Sequence, residues 1–324
     1  MKELSIVITV LNEEDNIELL TKQIRESLRN FNHEIIWVDD GSTDNTVDNI
    51  KRSGDENTKL ISLTRNFGQT AAMSAGIDMA EGEYIVTLDG DLQNNPSDIP
   101  MMLEKLKREG WDVVTGFRKK RKDGLLLRKI PSKVANWLIR MLTGVAVRDF
   151  GCSLKVFKSS YAKNLGLFGE LHRFIPVLLA MEGAKITDVE VSHFPRIYGR
   201  SKYGLGRTVR VMSDLFLMMC FQKYLKRPIH FFGPLGMITL LMGSTISFYL
   251  LVTKVADQTF GGIALVIMAV VLVLAGIQFL GLGLIAEFVV RIYYESRNKK
   301  IYSIREVFHG NEALEKVVKI RKIS

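Results

Sequence analysis

Asp89, Asp91 and Gln93 occupy alternate positions in LDGDLQNNP, directly after the apolar run YIVTL. Side chains two apart share one face of a strand, and in a loop leaving it they can wrap around an ion. Converging carboxylate and amide oxygens suit a hard divalent cation, Mg²⁺ or Mn²⁺. Such an ion usually takes part of its shell from substrate phosphates, so the pattern points to a phosphorylated ligand. A polar turn that opens a helix accounts for Asn94, Pro96 and Ser97, but not for two acids beside a strand end.

Two further polar clusters follow apolar runs. LSIVITV leads to Asn12 and Glu13, and HEIIWVDDGS ends in Asp39 and Asp40. Acids at such ends can accept hydrogen bonds from a base N–H or from ribose hydroxyls. Arg65, after KLISLT, is a candidate pyrophosphate ligand.

The cations are clustered. Lys plus Arg number 44 and Asp plus Glu 35, a formal charge of +9, dense in FRKKRKDGLLLRK (117–129), in RIYGRSKYGLGRTVR (196–210) and from Arg291 onward. Such blocks suit phosphorylated ligands, anionic lipid or nucleic acid. They lack the interleaved aromatics or reading motif of a nucleic-acid module, so no nucleic-acid partner is expected. The run Lys119–Lys122 reads as a loop drawn to anionic lipid. Cys152 and Cys220 make no disulfide framework, which fits a reducing, cytosolic setting. The start, MKELSIVITVLNEEDN, turns acidic after a short apolar run and does not read as a signal peptide.

The elements that must position these residues alternate. Strand-like segments at 4–10, 33–42, 59–64, 83–91 and 111–117 are separated by helical patterns, the first with Ile17, Leu20, Ile24 and Leu28 at helical spacing. This rhythm predicts a Rossmann-like α/β domain with a mostly parallel sheet and ligands beyond the carboxyl ends of its strands. CSLKVFK (152–158) and KITDVEVSHF (185–194) read as further strands around a helix in LHRFIPVLLAMEG.

Two stretches without charge, 231–253 and 258–286, are each long enough to cross a bilayer as a helix. With KVAD (254–257) as the loop they predict a transmembrane hairpin, which could also support self-association into a homo-oligomer. Basic residues flank both outer ends, so the positive-inside rule puts the large domain and both termini on the cytoplasmic face of the cell membrane. The expected organisation is a domain over 1–204, an interfacial amphipathic helix over 205–227, the hairpin within 228–292 and a basic cytosolic tail over 293–324.

VITVLNEEDN, VDDGSTDNT, RNFGQTAA, DGDLQNNP and RIYGRSKYG occur in the order seen in family 2 glycosyltransferases of the GT-A fold, and over residues 1 to about 210 the chain resembles them. It looks most like the polyprenyl-phosphate branch, which includes dolichyl-phosphate mannose synthases and bactoprenol glucosyltransferases. The resemblance implies a nucleotide-sugar donor bound through Glu13 and Asp40, and a metal at Asp89, Asp91 and Gln93. It implies an acceptor lipid phosphate held by Arg118, Arg128, Ser132 and Arg196, to which Ser201 and Lys202 add a hydroxyl and an ammonium. Many relatives carry a proline in the first loop where this chain reads ITVLNE. Asp149, in RDFGCS, could orient the sugar or act as a base. Cys152 has no paired base and is not expected to be a nucleophile.

A phosphate oxygen is already anionic, so it needs aiming more than deprotonation. The expected reaction is one in-line displacement at the sugar C1 with inversion. UDP-glucose is the first donor to consider, with GDP-mannose and UDP-N-acetylhexosamines open, and undecaprenyl or dolichyl phosphate the acceptor. A processive polysaccharide synthase would carry a QxxRW motif, which is absent. A non-catalytic nucleotide-sugar-binding protein on a membrane tether is a further alternative, although the acids a degenerate enzyme would lose are all present.

Overall fold

The computed structural model describes residues 2–118, 139–141, 143–163, 165, 167, 169, 171–197, 229–257, 262–295, 301–310 and 312–315. The chain divides into two compact units, Met1–Leu215 with Lys300–Ser324, and Phe216–Lys299. The expected interfacial helix lies outside the described residues.

In the first unit the βα alternation builds β1 (Leu4–Val10), α1 (Ile17–Leu28), β2 (His33–Asp39), α2 (Thr46–Ser53), β3 (Thr58–Leu63), α3 (Gln69–Asp78), β4 (Tyr84–Asp89), α4 (Ile99–Glu109) and β5 (Val113–Phe117). β6 (Lys155–Lys158), the short α5 (Ser159–Ala162), α6 (Ile175–Met181) and β7 (Ile186–Glu190) follow. β1 is buried along its whole length, as a continuous apolar run covered on both faces should be. The predicted stripe of α1 (Ile17, Leu20, Ile24 and Leu28) is fully buried in the core. Gly76 lets α3 approach the sheet: a Cβ there would lie 2.3 Å from a methyl of Val7.

With β8 (Ile304–His309) and β9 (Glu312–Glu315) from the C-terminal segment, the sheet order is β7-β5-β6-β4-β1-β2-β3-β8-β9. Its centre, β4-β1-β2-β3, is parallel, and β6 inserts antiparallel between β4 and β5. The sheet is therefore mixed. The register sets Thr9 opposite Asp89 and Val10 opposite Asp39, so three strands deliver their polar termini to one edge.

The segment after the hairpin differs from the expected basic tail. β8 (Ile304–His309) pairs antiparallel with β3, and β9 (Glu312–Glu315) pairs with β8. The outer edge of β3 would otherwise present unpaired backbone groups, and β8 satisfies them. Val307 is buried and Phe308 packs on the core.

In the second unit α7 (Ile229–Asp257) and α8 (Ile263–Glu295) contain the stretches Phe232–Val255 and Ile263–Ala286, each 24 residues and apolar enough to cross a membrane. Lys254–Asp257, expected as the connecting loop, is instead the last turn of α7. Nothing in Lys-Val-Ala-Asp breaks a helix, whereas the following Gly261-Gly262 pair is a turn signal.

Candidate active site

At the carboxyl ends of β1, β2 and β4 lies a cleft of ≈ 200 Å³ whose lining includes Glu13, Asp40, Asp89, Asp91, Gln69 and Arg196. Four carboxylates face one guanidinium among these lining residues, an excess of negative charge that fits a divalent cation.

Asp89 ends β4, and its Oδ1 accepts a 2.7 Å hydrogen bond from Nε2 of Gln69, the first residue of α3. Burial, and then the charge of Asp91, push the Asp89 carboxyl up to about 6. Asp91 is buried and pairs through Oδ2 with Arg196 Nη2 at 2.8 Å. Between Asp91 and Gln93 the chain turns through Leu92 at φ 59°, the left-handed region. That turn takes Gln93 off the shared face. Its amide Nε2 reaches the Phe194 carbonyl at 3.5 Å, and it is not among the cleft residues. Strand alternation alone would have kept positions 89, 91 and 93 together.

Asp40 is buried and ties β2 to the loop before α3, accepting from the Phe67 N–H at 2.7 Å and the Gly68 N–H at 2.9 Å. Burial raises its pKa, opposed by those two backbone bonds. Asp39 is turned inward, its Oδ1 accepting from the Ser42 N–H at 3.0 Å. Glu13 joins the cleft, with Oε2 accepting from Asn16 at 2.6 Å. Asn12 stays outside the lining at φ 49°, its amide oxygen accepting from the Thr43 N–H at 2.8 Å. The loop that lacks the relatives' proline is thus shaped by bonds to the β2–α2 loop. Arg65 is exposed and stacks over the Phe67 ring, its guanidinium carbon 4.5 Å from the centroid, outside the lining.

Arg118, at the end of β5, forks onto Asp149: Nε to Oδ2 is 2.6 Å and Nη2 to Oδ1 is 3.1 Å. The Gly151 N–H also donates to Asp149 Oδ1, at 3.0 Å. Both oxygens of Asp149 are thus engaged, which suits an orienting residue better than a base. Arg128, Ser132, Ser201 and Lys202 lie outside the described residues.

Two residues near the acids were not singled out from the sequence. Gln69 sits inside RNFGQTAA, and only the fold aims it at Asp89. Lys155, in β6, is buried, and its Nζ donates to the Cys152 carbonyl. Burial depresses the Lys155 pKa, against the charges of Asp89 and Asp149. His172 is buried with Nδ1 2.7 Å from the Thr70 hydroxyl. Cys152 is fully buried, and burial pushes its thiol up, as an unreactive cysteine requires.

A central parallel sheet flanked by helices, with acids gathered where β1, β2 and β4 end, is the architecture of a GT-A glycosyltransferase. Residues 5–165 match the model of glycosyl transferase family 2. The chain is 44% identical over 314 residues to the dodecaprenyl-phosphate galacturonate synthase of Rhizobium johnstonii, covering 94% of this chain and 93% of that one. It is 32% identical over 329 residues to the undecaprenyl-phosphate 4-deoxy-4-formamido-L-arabinose transferase of Yersinia enterocolitica, covering 99% and 98%. Among solved structures, a Mycobacterium tuberculosis glucosyl-3-phosphoglycerate synthase in complex with Mn²⁺, uridine diphosphate and glucosyl-3-phosphoglycerate superposes with a TM-score of 0.53 at 20% identity, over 68% of this chain and 80% of that one. That likeness is one of fold. The chain belongs to glycosyl transferase family 2.

Proposed function

We propose that this chain transfers a sugar from a nucleotide donor to a polyprenyl phosphate, working at the cytoplasmic face of a membrane that α7 and α8 cross. The observation that carries the reading is the cleft in which Asp40, Glu13, Asp89 and Asp91 meet at the carboxyl ends of adjacent strands. The near full-length similarity to two polyprenyl-phosphate sugar transferases supports it.

In this reading Asp40 and Glu13 hold the nucleoside, and Asp89 and Asp91 hold Mg²⁺ or Mn²⁺. The metal, when bound, would offset charge developing on the departing nucleotide. Gln69 keeps Asp89 aimed at the cleft, and Arg118, outside the cleft lining, holds the plane of Asp149. The acceptor oxygen needs only positioning, so no residue is required to remove a proton from it.

The sugar itself is open to direct test. Neither of the two relatives carries glucose in its name, and one is a galacturonate synthase, so UDP-galacturonate belongs beside UDP-glucose at the head of the panel. Purified full-length protein is offered these donors, GDP-mannose and UDP-N-acetylhexosamines with undecaprenyl phosphate and Mn²⁺ or Mg²⁺, and the lipid product is identified by mass. A glycosylated lipid phosphate with inverted C1 is expected from at least one donor. Asp91→Ala should abolish it, and near-normal turnover in that variant would overturn the metal assignment.

A further inference from the structure

The basic run that begins at Arg196 reads in sequence as part of a phosphate cradle, yet the guanidinium itself lies among carboxylates. Arg196 Nη2 donates to Asp91 Oδ2 at 2.8 Å, and Nη1 stands 3.5 Å from Glu13 Oε1. The Arg196 side chain is 19% exposed, and those of Asp91 and Glu13 are 11% and 10% exposed. Partly withdrawn from water, these charges interact more strongly than a surface pair.

The cleft also contains Asp40 and Asp89, so without a cation its carboxylates repel one another. A guanidinium offsets part of that repulsion. It competes with a divalent ion for Asp91, whose Oδ2 holds the guanidinium and whose Oδ1 accepts from the Gln93 N–H at 3.2 Å, and its like charge opposes the ion's approach.

We propose that Arg196 is an exchangeable cation of the metal site. In the ligand-free chain it neutralises Asp91 and Glu13; when metal arrives with a nucleotide diphosphate it leaves the carboxylates and pairs with phosphate oxygens. This rests on the function proposed above and assigns Arg196 to the donor side of the reaction as a positioning residue. Metal and diphosphate then bind with positive coupling, because the displaced guanidinium regains a partner only when phosphate is present.

The test reads Mn²⁺ binding rather than turnover. Full-length protein in detergent is titrated with Mn²⁺, with and without UDP, and free Mn²⁺ is followed by electron paramagnetic resonance. Arg196→Met should bind Mn²⁺ alone about tenfold more tightly than the wild type, as expected when a competing closed state is removed. It should also gain less from UDP than the wild type does. Arg196→Gln, which removes the charge and keeps a polar side chain, should shift Mn²⁺ affinity in the same direction and serves if Arg196→Met fails to fold. Unchanged or weaker Mn²⁺ affinity without UDP in the folded variants would overturn the exchange. Asp91→Asn separates the two readings. If it abolishes Mn²⁺ binding while Arg196→Met tightens nothing, only the exchange fails; if Mn²⁺ binds undiminished without Asp91, both fail.

Discussion

Arg118 and Asp149, 31 residues apart in sequence, meet through two parallel hydrogen bonds of 2.6 and 3.1 Å at the end of β5. Their side chains are 11% and 9% exposed. Burial and pairing oppose each other at Arg118, and the Asp149 contacts help to raise its pKa above the ordinary value. A fork of this kind fixes the planes of both groups, so it sets geometry as well as charge balance.

Arg118→Met strands the Asp149 carboxylate in a poorly hydrated place. The expected cost is about 3–5 kcal/mol, the range for removing one partner of a buried pair. Arg118→Lys keeps the charge but loses the second hydrogen bond, and should fall between the two. Pairing Arg118→Met with Asp149→Asn should recover part of the loss. Denaturation midpoints of the full chain check this series; equal midpoints for wild type and Arg118→Met would contradict it.

Asp89 gives metal binding a pH dependence. Its carboxyl is pushed up to about 6, first by burial and then by Asp91. A cation must compete with that proton, so Mn²⁺ affinity should fall about tenfold per pH unit below pH 6. Stability of the metal-free protein runs the other way. The native state holds this proton more tightly than the unfolded chain, whose value is 3.8. The contribution of Asp89 to stability therefore grows as pH falls from 7 through 6 toward 4, and is lost as pH rises through about 6. Mn²⁺ titrations and metal-free melts between pH 5 and 7.5 check the two signs.

The return of the chain to the sheet is anchored at Tyr302, whose hydroxyl donates to Asp78 Oδ2 at 2.6 Å. Burial and Asp78 raise the phenol pKa well above its usual value. Tyr302→Phe should cost about 1.5–3 kcal/mol, as for a hydrogen bond to a charged group. Ending the chain at residue 299 should cost more, because the edge of β3 loses its partner. Hydrogen exchange at β3 amides, faster in the truncated chain, locates the effect.

In the hairpin, Gly236 and Gly243 of α7 lie against α8. A Cβ on Gly276 would stand 2.8 Å from the Leu240 nitrogen and 2.9 Å from the Gly236 carbonyl oxygen. Gly276→Leu must push the helices apart, whereas Gly281→Leu meets no atom within 4 Å. Only the first should lower the thermal stability of the purified protein, by the about 1–3 kcal/mol typical of overpacking.

Much of this protein is legible along the chain. Strand and helix periods set the βα alternation, a local property of each segment. Two long uncharged stretches mark the candidate spans, because length and composition alone decide whether a helix can cross a bilayer. The acids after β1, β2 and β4 could be placed at one edge because parallel strands must end on the same side.

Other features depend on partners far apart in sequence, and no local pattern encodes them. Pairing of β8 with β3 is one, since a short alternating strand does not name its neighbour. Gln69 reaching Asp89 and Lys155 buried near the same acid are two more. The left-handed turn at Leu92, after which the Gln93 amide reaches the Phe194 carbonyl, is another feature that strand alternation does not foretell. Arg196 shows the division most clearly. Its type predicts that it seeks an anion, since a guanidinium forks onto carboxylate and phosphate alike. That Asp91 and Glu13 stand within its reach is decided by folding, which carries the chain after β7 across the mouths of β1 and β4.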